Sequence, residues 1–188
     1  MNEKRLGPVI DRINSLLEIK ERVVVGIDGM AASGKTTSAG ELAALFGCDA
    51  VHMDDFFLPF SLRSPGRLAE AGGNIHYERF MEEAAAGIKS GEAFTYRVFD
   101  CKTGTYSRSR NISPSKLLVV EGAYCMHPFF GDLYDLKVFS AVEDDVQKKR
   151  ILERDGAEVY KRFADLWIPM EKKYFEAFKI RRICDITI

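Results

Sequence analysis

The sequence contains Gly29-Met30-Ala31-Ala32-Ser33-Gly34-Lys35-Thr36, which matches the pattern G-x-x-x-x-G-K-[ST] of a phosphate-binding loop. An apolar, β-branched run, Val23–Ile27, precedes the loop, and a stretch typical of a helix, Thr37–Phe46, follows it. A strand, a glycine-rich turn and a helix N-terminus in this order place successive backbone N–H groups around a phosphate. The stretch therefore predicts a site for a nucleoside triphosphate.

Two side chains of this loop carry the expected chemistry. Lys35 would contact the β- and γ-phosphates, and the Thr36 hydroxyl would help to hold Mg²⁺. ATP and Mg²⁺ are the expected cofactors. The residues expected to contact the nucleotide are Gly29, Met30, Ala31, Ala32, Ser33, Gly34, Lys35, Thr36 and Thr37.

Length and composition limit the class of protein. The 188 residues suffice for a single domain with a proper core, and the net charge of −1 indicates no general attraction to nucleic acid or membrane. No apolar run approaches the roughly 20 residues of a membrane span. The N-terminus has no signal-peptide pattern, and the four cysteines lie far apart, as in proteins with reduced thiols. We expect a cytoplasmic protein that binds a small molecule, without nucleic-acid or membrane partners.

Strand-like runs alternate with helical stretches along the chain. After an amphipathic helix within residues 1–21, the runs predicted as core strands are Val23–Ile27, Cys48–Met53, Leu117–Val120, Leu136–Val142 and Ile183–Ile188. This alternation predicts an α/β fold with a parallel sheet covered on both faces. A hairpin is expected at about residues 94–112. A charged helix and a second helix, interrupted near Pro169, are expected at about residues 143–180.

Acidic residues follow two of these strands. Asp54 and Asp55 come after the second strand, and Glu121 ends the most apolar one. Because ligands of parallel sheets bind beyond the carboxyl ends of the strands, Asp54 is our candidate catalytic base. Asp55 would position the loop or the substrate, and Glu121 would join Thr36 in holding the metal. The alternative is that the aspartates cap a turn and that Glu121 merely reaches solvent.

Two arginines complete the expected transfer site. Arg150 and Arg154 lie four residues apart on one face of a predicted helix, where they could stabilise charge on a transferred phosphoryl group. The alternative is a solvated helix with paired charges. The chain lacks the N-K-x-D element of guanine-specific GTPases, so a small-molecule kinase is favoured.

Aromatic side chains could line an acceptor pocket. Those in question are Tyr77, Tyr96, Phe99, Tyr106 and Tyr124, although aromatic residues at strand spacing belong to a core more often than to a ligand site. His76 enters a predicted helix after a glycine pair, and it is the histidine with the strongest case for substrate contact.

Together these segments resemble the uridine kinase and phosphoribulokinase family of P-loop kinases. The segments that carry the resemblance are Gly26–Thr37, His52–Phe57, Tyr96–Asp100, Val119–Gly122 and Arg150–Asp155. The resemblance implies a P-loop NTPase fold of three layers, α/β/α, with a five-stranded parallel sheet, an inserted hairpin and a helical lid.

The resemblance also implies residue roles. Asp54 matches the catalytic aspartate, Glu121 the metal-linked acid, and Arg150 and Arg154 the lid arginines. Phe99 and Asp100 match a Tyr-Asp pair beside the nucleoside. The residues expected on the acceptor side are Asp55, Phe56, His76, Tyr77, Tyr96, Phe99, Asp100 and Tyr124.

The chain departs from the nucleoside-binding members at two places. They carry an aspartate where this chain has His76, and a histidine where it has Lys102–Gly104. The paired aspartates followed by two phenylalanines are closer to the nicotinamide riboside kinase branch. We expect ATP-dependent phosphorylation of a nucleoside-like compound. The alternatives are a kinase of pantothenate, a sugar phosphate, a nucleoside monophosphate or dephospho-coenzyme A, or a regulatory protein that binds ATP with little turnover.

Overall fold

The framework of the protein is a parallel sheet with β1 at its centre, in a computed structural model that describes residues 3–188. The strands are β1 (Val23–Gly29), β2 (Ala50–His52), β3 (Phe94–Asp100), β4 (Thr105–Ile112), β5 (Leu117–Glu121), β6 (Leu136–Ser140) and β7 (Ile186–Thr187). The helices are α1 (Glu3–Leu17), α2 (Lys35–Phe46), α3 (Pro65–Ala69), α4 (Tyr77–Phe80), α5 (Ala86–Ser90), α6 (Asp144–Asp155), α7 (Ala157–Arg162), α8 (Ile168–Ala177) and α9 (Ile180–Ile183).

Five strands form this sheet in the order β2-β5-β1-β6-β7, and all their pairings are parallel. Ile27 of β1 lies opposite Glu121 of β5, and Gly29 lies opposite Ser140 of β6. His52 at the end of β2 also lies opposite Glu121. The carboxyl ends of these strands therefore meet at one edge, and the predicted five-stranded parallel sheet is confirmed.

Apolar side chains alternate between the two faces of the sheet. Val23, Val25 and Ile27 pack with α1 and α2 on one face. Val24 points to the opposite face, into the cluster that holds Phe80 of α4 and Tyr174 of α8. Every residue of β1 is buried, which requires cover on both sides and produces the expected α/β/α layers.

Three strands are shorter than the sequence predicts, and of these β6 ends at Ser140 where the prediction extended to Val142. β2 ends at His52 because the chain turns at once into a 3₁₀ turn over Met53–Phe56, which carries both aspartates. The last strand covers only Ile186–Thr187, because α9 occupies the start of the predicted run. The helical stretch Tyr77–Ser90 ends at Gly91, which adopts a left-handed conformation with φ 77°.

The C-terminal helices follow the predicted division. Gly156, with φ 84°, separates α6 from the helical stretch Ala157–Ala177. This stretch widens into a π-helical turn at Phe163–Trp167, directly before Pro169. Proline has no N–H to donate and its ring crowds the preceding turn, so the wider turn accommodates it inside the helix. No helix in the described part of the chain is both long and apolar enough to cross a bilayer.

The predicted hairpin forms a small sheet of its own. β3 and β4 pair antiparallel, with a bulge between Val98 and Phe99. Its inner face packs on the 3₁₀ turn, where the ring of Tyr96 stacks on Phe56 with centroids 4.9 Å apart. The hairpin therefore covers the carboxyl end of β2.

A fully buried carboxylate, that of Asp28, joins three parts of the chain. Its Oδ1 accepts hydrogen bonds from the backbone N–H groups of Gly29 (2.7 Å) and Tyr124 (3.2 Å). Its Oδ2 accepts from the N–H of Met126 (3.0 Å) and the hydroxyl of Tyr174 (2.8 Å). Burial raises the pKa of Asp28, and these donors oppose the rise.

We predict that Asp28→Ala lowers the free energy of unfolding by about 3–5 kcal/mol, because it leaves several buried donors unpaired at once. Tyr174→Phe removes one of the four donors and should cost only about 1 kcal/mol. Urea denaturation of both variants checks the difference. Equal losses in the two variants would show that the carboxylate does not join the three segments.

Candidate active site

The predicted phosphate-binding loop lies between β1 and α2. Gly29 has φ 140°, and a Cβ there would lie 2.1 Å from the carbonyl oxygen of Ser140, so only glycine fits. Ala32 (φ 54°) and Gly34 (φ 96°) are left-handed, which lets the chain curl before α2 begins at Lys35. Consecutive turns of this kind with a helix N-terminus behind them form an anion-binding concavity.

Lys35 folds back over the loop. Its buried side chain places Nζ 2.8 Å from the carbonyl oxygen of Gly29 and 2.7 Å from that of Met30, and donates to both. These carbonyls hold the ammonium at the mouth of the loop, where it can meet a phosphate.

Thr36 and Glu121 lie in contact, as expected of a metal site. Thr36 Oγ1 lies 3.1 and 3.2 Å from the two carboxylate oxygens of Glu121. His52 Nδ1 lies 2.6 Å from Glu121 Oε1 and fixes the carboxylate from the β2 side. A hydroxyl and a carboxylate are the oxygen ligands that Mg²⁺ prefers. The residues thus fit Mg²⁺ held partly by substrate phosphates, and residues 3–188 contain no cluster of three or more acidic, histidine or cysteine side chains that could hold a metal.

Asp54 lies beside this pair, in the 3₁₀ turn after β2. Its side chain is exposed to the cleft, and none of the described residues forms a hydrogen bond or ion pair with its carboxylate. Desolvation in the cleft raises the pKa of Asp54, the negative charge of Glu121 raises it further, and Lys35 opposes the rise. A carboxylate that is unpaired and close to Lys35 is free to accept a proton.

Asp55, the next residue, has the opposite environment. It is buried, and its Oδ2 accepts from Arg110 Nε at 2.6 Å and from the hydroxyl of Tyr96 at 3.1 Å. The two aspartates therefore differ: the Asp55 carboxylate is bound by two side chains of the hairpin, whereas the Asp54 carboxylate has no such partner and can contact a ligand.

Of the two lid arginines, only Arg150 reaches the loop. Its Nη1 donates to the carbonyl oxygen of Ala32 at 3.0 Å. Arg154 instead pairs with its neighbour Asp155, through Nε at 2.8 Å and Nη2 at 2.7 Å. The structure thus brings Arg150 to the phosphate-binding loop and leaves Arg154 on the outer side of the helix.

The remaining polar contact to the loop comes from α8. Glu171 is buried, and its Oε2 accepts from the N–H of Ala31 at 2.9 Å. Gln147 of α6 donates to the carbonyl oxygen of the same residue, also at 2.9 Å. Burial raises the pKa of Glu171 to about 7, and the positive charge of Lys35 partly offsets the rise.

Comparison with known proteins finds kinases among the relatives of this chain. No protein-family model matches the chain. A uridine kinase of Chlamydia pneumoniae is 26% identical over 182 residues, which cover 88% of this chain and 81% of that protein. A phosphoribulokinase of Synechocystis sp. is 28% identical over 148 residues, covering 72% of this chain and 42% of that protein. The chain therefore spans less than half of this phosphoribulokinase. A solved structure described as a possible uridine kinase from Bacillus stearothermophilus has a TM-score of 0.67 at 22% identity, covering 96% of this chain and 99% of its own.

The chain is similar to uridine kinases and phosphoribulokinases, and these relatives support the resemblance to their family of P-loop kinases. The fold and the class of enzyme predicted from the sequence, an ATP-dependent kinase, are confirmed. Kinases of this family imply a small-molecule substrate.

In this P-loop kinase the predicted acceptor residues fall into two groups. The first lies where the hairpin packs on the 3₁₀ turn: Tyr96 of β3 stacks on Phe56, and Phe99 of β3 packs edge-on against Phe60, with centroids 5.9 Å apart. Asp100 Oδ1 accepts from the N–H of Lys102 at 2.7 Å and so closes the hairpin turn. Asp55 of the 3₁₀ turn forms an ion pair with Arg110 of the hairpin.

The second group lines the helical side of the cleft. Tyr77 stacks on His127 with centroids 5.0 Å apart, and His127 stacks in turn on Tyr174. Tyr124 is buried against Tyr174 and has φ 76°, an unusual backbone conformation for a tyrosine. His76 lies beside this group; its buried Nδ1 has no hydrogen-bond partner in the described chain, and burial lowers its pKa. The roles of both groups in acceptor binding stay predictions.

Several residues at the site were not predicted from the sequence. His52 was not among the predicted site residues, and it contacts Glu121. Gln147 could have been found, because it precedes Arg150 by three residues on the same helix. Glu171 gave no local signal, since it lies 140 residues from Ala31 in the sequence.

We predict that Glu171→Gln stabilises the protein at pH 8, with an advantage that shrinks as the pH falls to 5. The folded chain keeps the Glu171 proton up to about pH 7, whereas an unfolded chain releases it near the ordinary value of about 4.3. Because the folded state binds more protons in this window, stability falls as pH rises through it and then levels off. The amide keeps an oxygen for the Ala31 N–H without the buried charge.

Urea denaturation at pH 5, 6.5 and 8 measures the effect. Glu176→Gln, at an exposed position of the same helix, is the matched control and should change stability equally at each pH. A pH-independent difference for Glu171→Gln would mean that the buried carboxyl does not titrate in this range.

Proposed function

We propose that this chain transfers the γ-phosphoryl group of ATP to a hydroxyl of a small, nucleoside-like acceptor. The observation that carries the proposal is the uncommitted carboxylate of Asp54, which lies at the sheet edge beside the phosphate-binding loop and near Lys35 and Glu121. A protein that only bound ATP would have no need for an unpaired carboxylate at this point. The match to a uridine kinase along 88% of the chain supports a nucleoside-like acceptor.

Asp54 would accept the proton of the acceptor hydroxyl as its oxygen forms a bond to the γ-phosphorus. The bond between that phosphorus and the oxygen bridging it to the β-phosphate breaks, and ADP leaves with the electron pair. Lys35 stabilises charge on the phosphates, and the loop N–H groups hold the β-phosphate. Mg²⁺, held by Thr36 and linked to Glu121, would neutralise negative charge on the phosphate oxygens when bound.

Asp55 supports this reaction without taking part in it. Its pairing with Arg110 and Tyr96 ties the hairpin to the catalytic turn and thereby fixes the direction of the Asp54 side chain. Tyr96 also accepts from the N–H of His52 at 3.2 Å, so the hairpin holds the end of β2 by a second contact.

The decisive assay is acceptor-dependent release of ADP from Mg·ATP. The panel contains nucleosides and nicotinamide riboside, with pantothenate, a sugar phosphate, a nucleoside monophosphate and dephospho-coenzyme A as the competing acceptors. Turnover confined to the nucleosides supports the proposal. Turnover of another acceptor overturns the acceptor class, and ATP binding without any turnover supports the regulatory alternative.

We predict that Asp54→Asn preserves Mg·ATP binding and lowers kcat by about 10²-fold or more, the usual effect of removing a positioned base. Asp55→Asn should cost less in kcat, because its carboxylate only positions the turn. Calorimetric ATP binding and ADP release on the same preparations measure both quantities. Wild-type turnover by folded Asp54→Asn would show that this aspartate is not the catalytic base and only caps the turn.

Arg150 and Arg154 form a natural matched pair on one helix. We predict that Arg150→Ala lowers kcat by about 10²-fold with a smaller change in KM for ATP, because charge on the phosphoryl group grows in the transition state. Arg154→Ala should stay within about threefold of wild type, since that side chain pairs with Asp155. Steady-state kinetics of the two variants separate the roles, and the reverse order of effects would assign the catalytic contact to Arg154.

A further inference from the structure

The N-terminal helix α1 delivers an arginine to the phosphate-binding loop. Arg5, in the first turns of α1, donates through Nη2 to the carbonyl oxygen of Ser33 and to the hydroxyl oxygen of Ser140, both at 2.7 Å. Ser33 lies inside the loop, and Ser140 ends β6 beside Gly29. One guanidinium group therefore joins the loop to the edge of the central sheet.

The position of Arg5 is set by the packing of its helix. Leu6, Val9 and Ile13 of α1 are buried against β1, β6 and α2. This apolar face fixes α1 antiparallel to β1, so that its first turns reach the carboxyl edge of the sheet. The packing of α1 against the core therefore determines where the Arg5 side chain lies.

The contact completes a pattern along the outer side of the loop. Three consecutive carbonyl groups, those of Ala31, Ala32 and Ser33, accept hydrogen bonds from side chains of three positions, which are Gln147, Arg150 and Arg5 respectively. The carbonyl and the N–H of one peptide group point in opposite directions, so these contacts also orient the N–H groups of Ala32 and Gly34, whereas the Ser33 N–H donates to the carbonyl oxygen of Met30 at 3.2 Å. The three contacts therefore favour the loop conformation that binds phosphate.

Arg5 also adds positive charge beside the loop. Its guanidinium is half-buried and lies close enough to Arg150 for the two positive charges to interact. Burial lowers the pKa of Arg5, and the charge of Arg150 lowers it further. The negative charge of Glu41 acts in the opposite direction. Its Nη1 would lie 2.8 Å from a Cβ at position 34, so the guanidinium occupies the space that Gly34 leaves open.

We propose that Arg5 is a positioning residue of the nucleotide site, which holds the phosphate-binding loop in the conformation that takes the polyphosphate of a nucleoside triphosphate. Through it, α1 forms part of this site. The inference rests on the proposed function in that the loop must bind a nucleotide, but it is independent of the acceptor.

The test is calorimetric binding of Mg·ATP, which needs no acceptor. Arg5→Ala should raise Kd about tenfold, the scale of one charge-assisted hydrogen bond, and leave the KM of the acceptor unchanged. Arg5→Lys should recover part of the affinity, because the ammonium keeps the charge but cannot reproduce the planar fork of donors. Arg12→Ala, at an exposed position of the same helix, is the matched control and should bind as wild type does.

A second variant covers the case in which Arg5→Ala unfolds. Ser140→Ala leaves α1 intact and removes one of the two acceptors of the guanidinium, so Kd should rise two- to threefold, a fraction of the loss expected for Arg5→Ala. Urea denaturation verifies that each variant is folded at the temperature of the titration. Folded Arg5→Ala or Ser140→Ala with wild-type Kd overturns the proposal, as does an equal loss in Arg12→Ala. A wild-type chain without affinity for Mg·ATP overturns the nucleotide site itself.

Discussion

The structure depends on one buried carboxylate that satisfies donors from three separate segments. Asp28 binds the first N–H of the phosphate-binding loop, two N–H groups of the turn after β5, and the hydroxyl of Tyr174 on α8. Each partner carries part of the site, since β5 ends at Glu121 and α8 bears Glu171. Because a buried carboxylate is costly unless its oxygens are fully engaged, the three segments must meet in one arrangement. The left-handed backbone of Tyr124 is held in place by the same network.

Two adjacent aspartates illustrate how the fold separates identical residues into different roles. The 3₁₀ turn after β2 directs the Asp55 side chain into the protein, where Arg110 and Tyr96 bind it, and directs Asp54 towards the cleft. The contacts with Arg110 and Tyr96 hold the Asp55 carboxylate in place. Desolvation and the charge of Glu121 raise the pKa of Asp54, which has no such partner. The chemical division follows from the geometry of a single turn.

The sequence predicted those features that depend on neighbouring residues. The loop, β1, β5 and the hairpin could be derived from local patterns, because glycine spacing and apolar runs directly restrict the backbone. The contact of Thr36 with Glu121 followed from the rule that ligands gather at the carboxyl ends of parallel strands. Glu171, Arg110 and Arg5 could not be derived in this way. Their partners are far away in the sequence, and a polar residue on a helix or strand face does not reveal which buried group it meets. Asp28 is an intermediate case. A single acidic residue in an apolar strand indicates a special role, but the sequence does not show which groups it binds.

The separation of the hairpin from the main sheet has an evolutionary consequence. In the described chain no strand-to-strand hydrogen bonds link β3 and β4 to the parallel strands, and the hairpin is attached through side chains such as Arg110 and Tyr96. Substitutions along its inner surface can thus accumulate without altering the register of the strands that carry the phosphate chemistry. Away from Arg110 and Tyr96, the hairpin can therefore vary in sequence while the parallel strands keep their register.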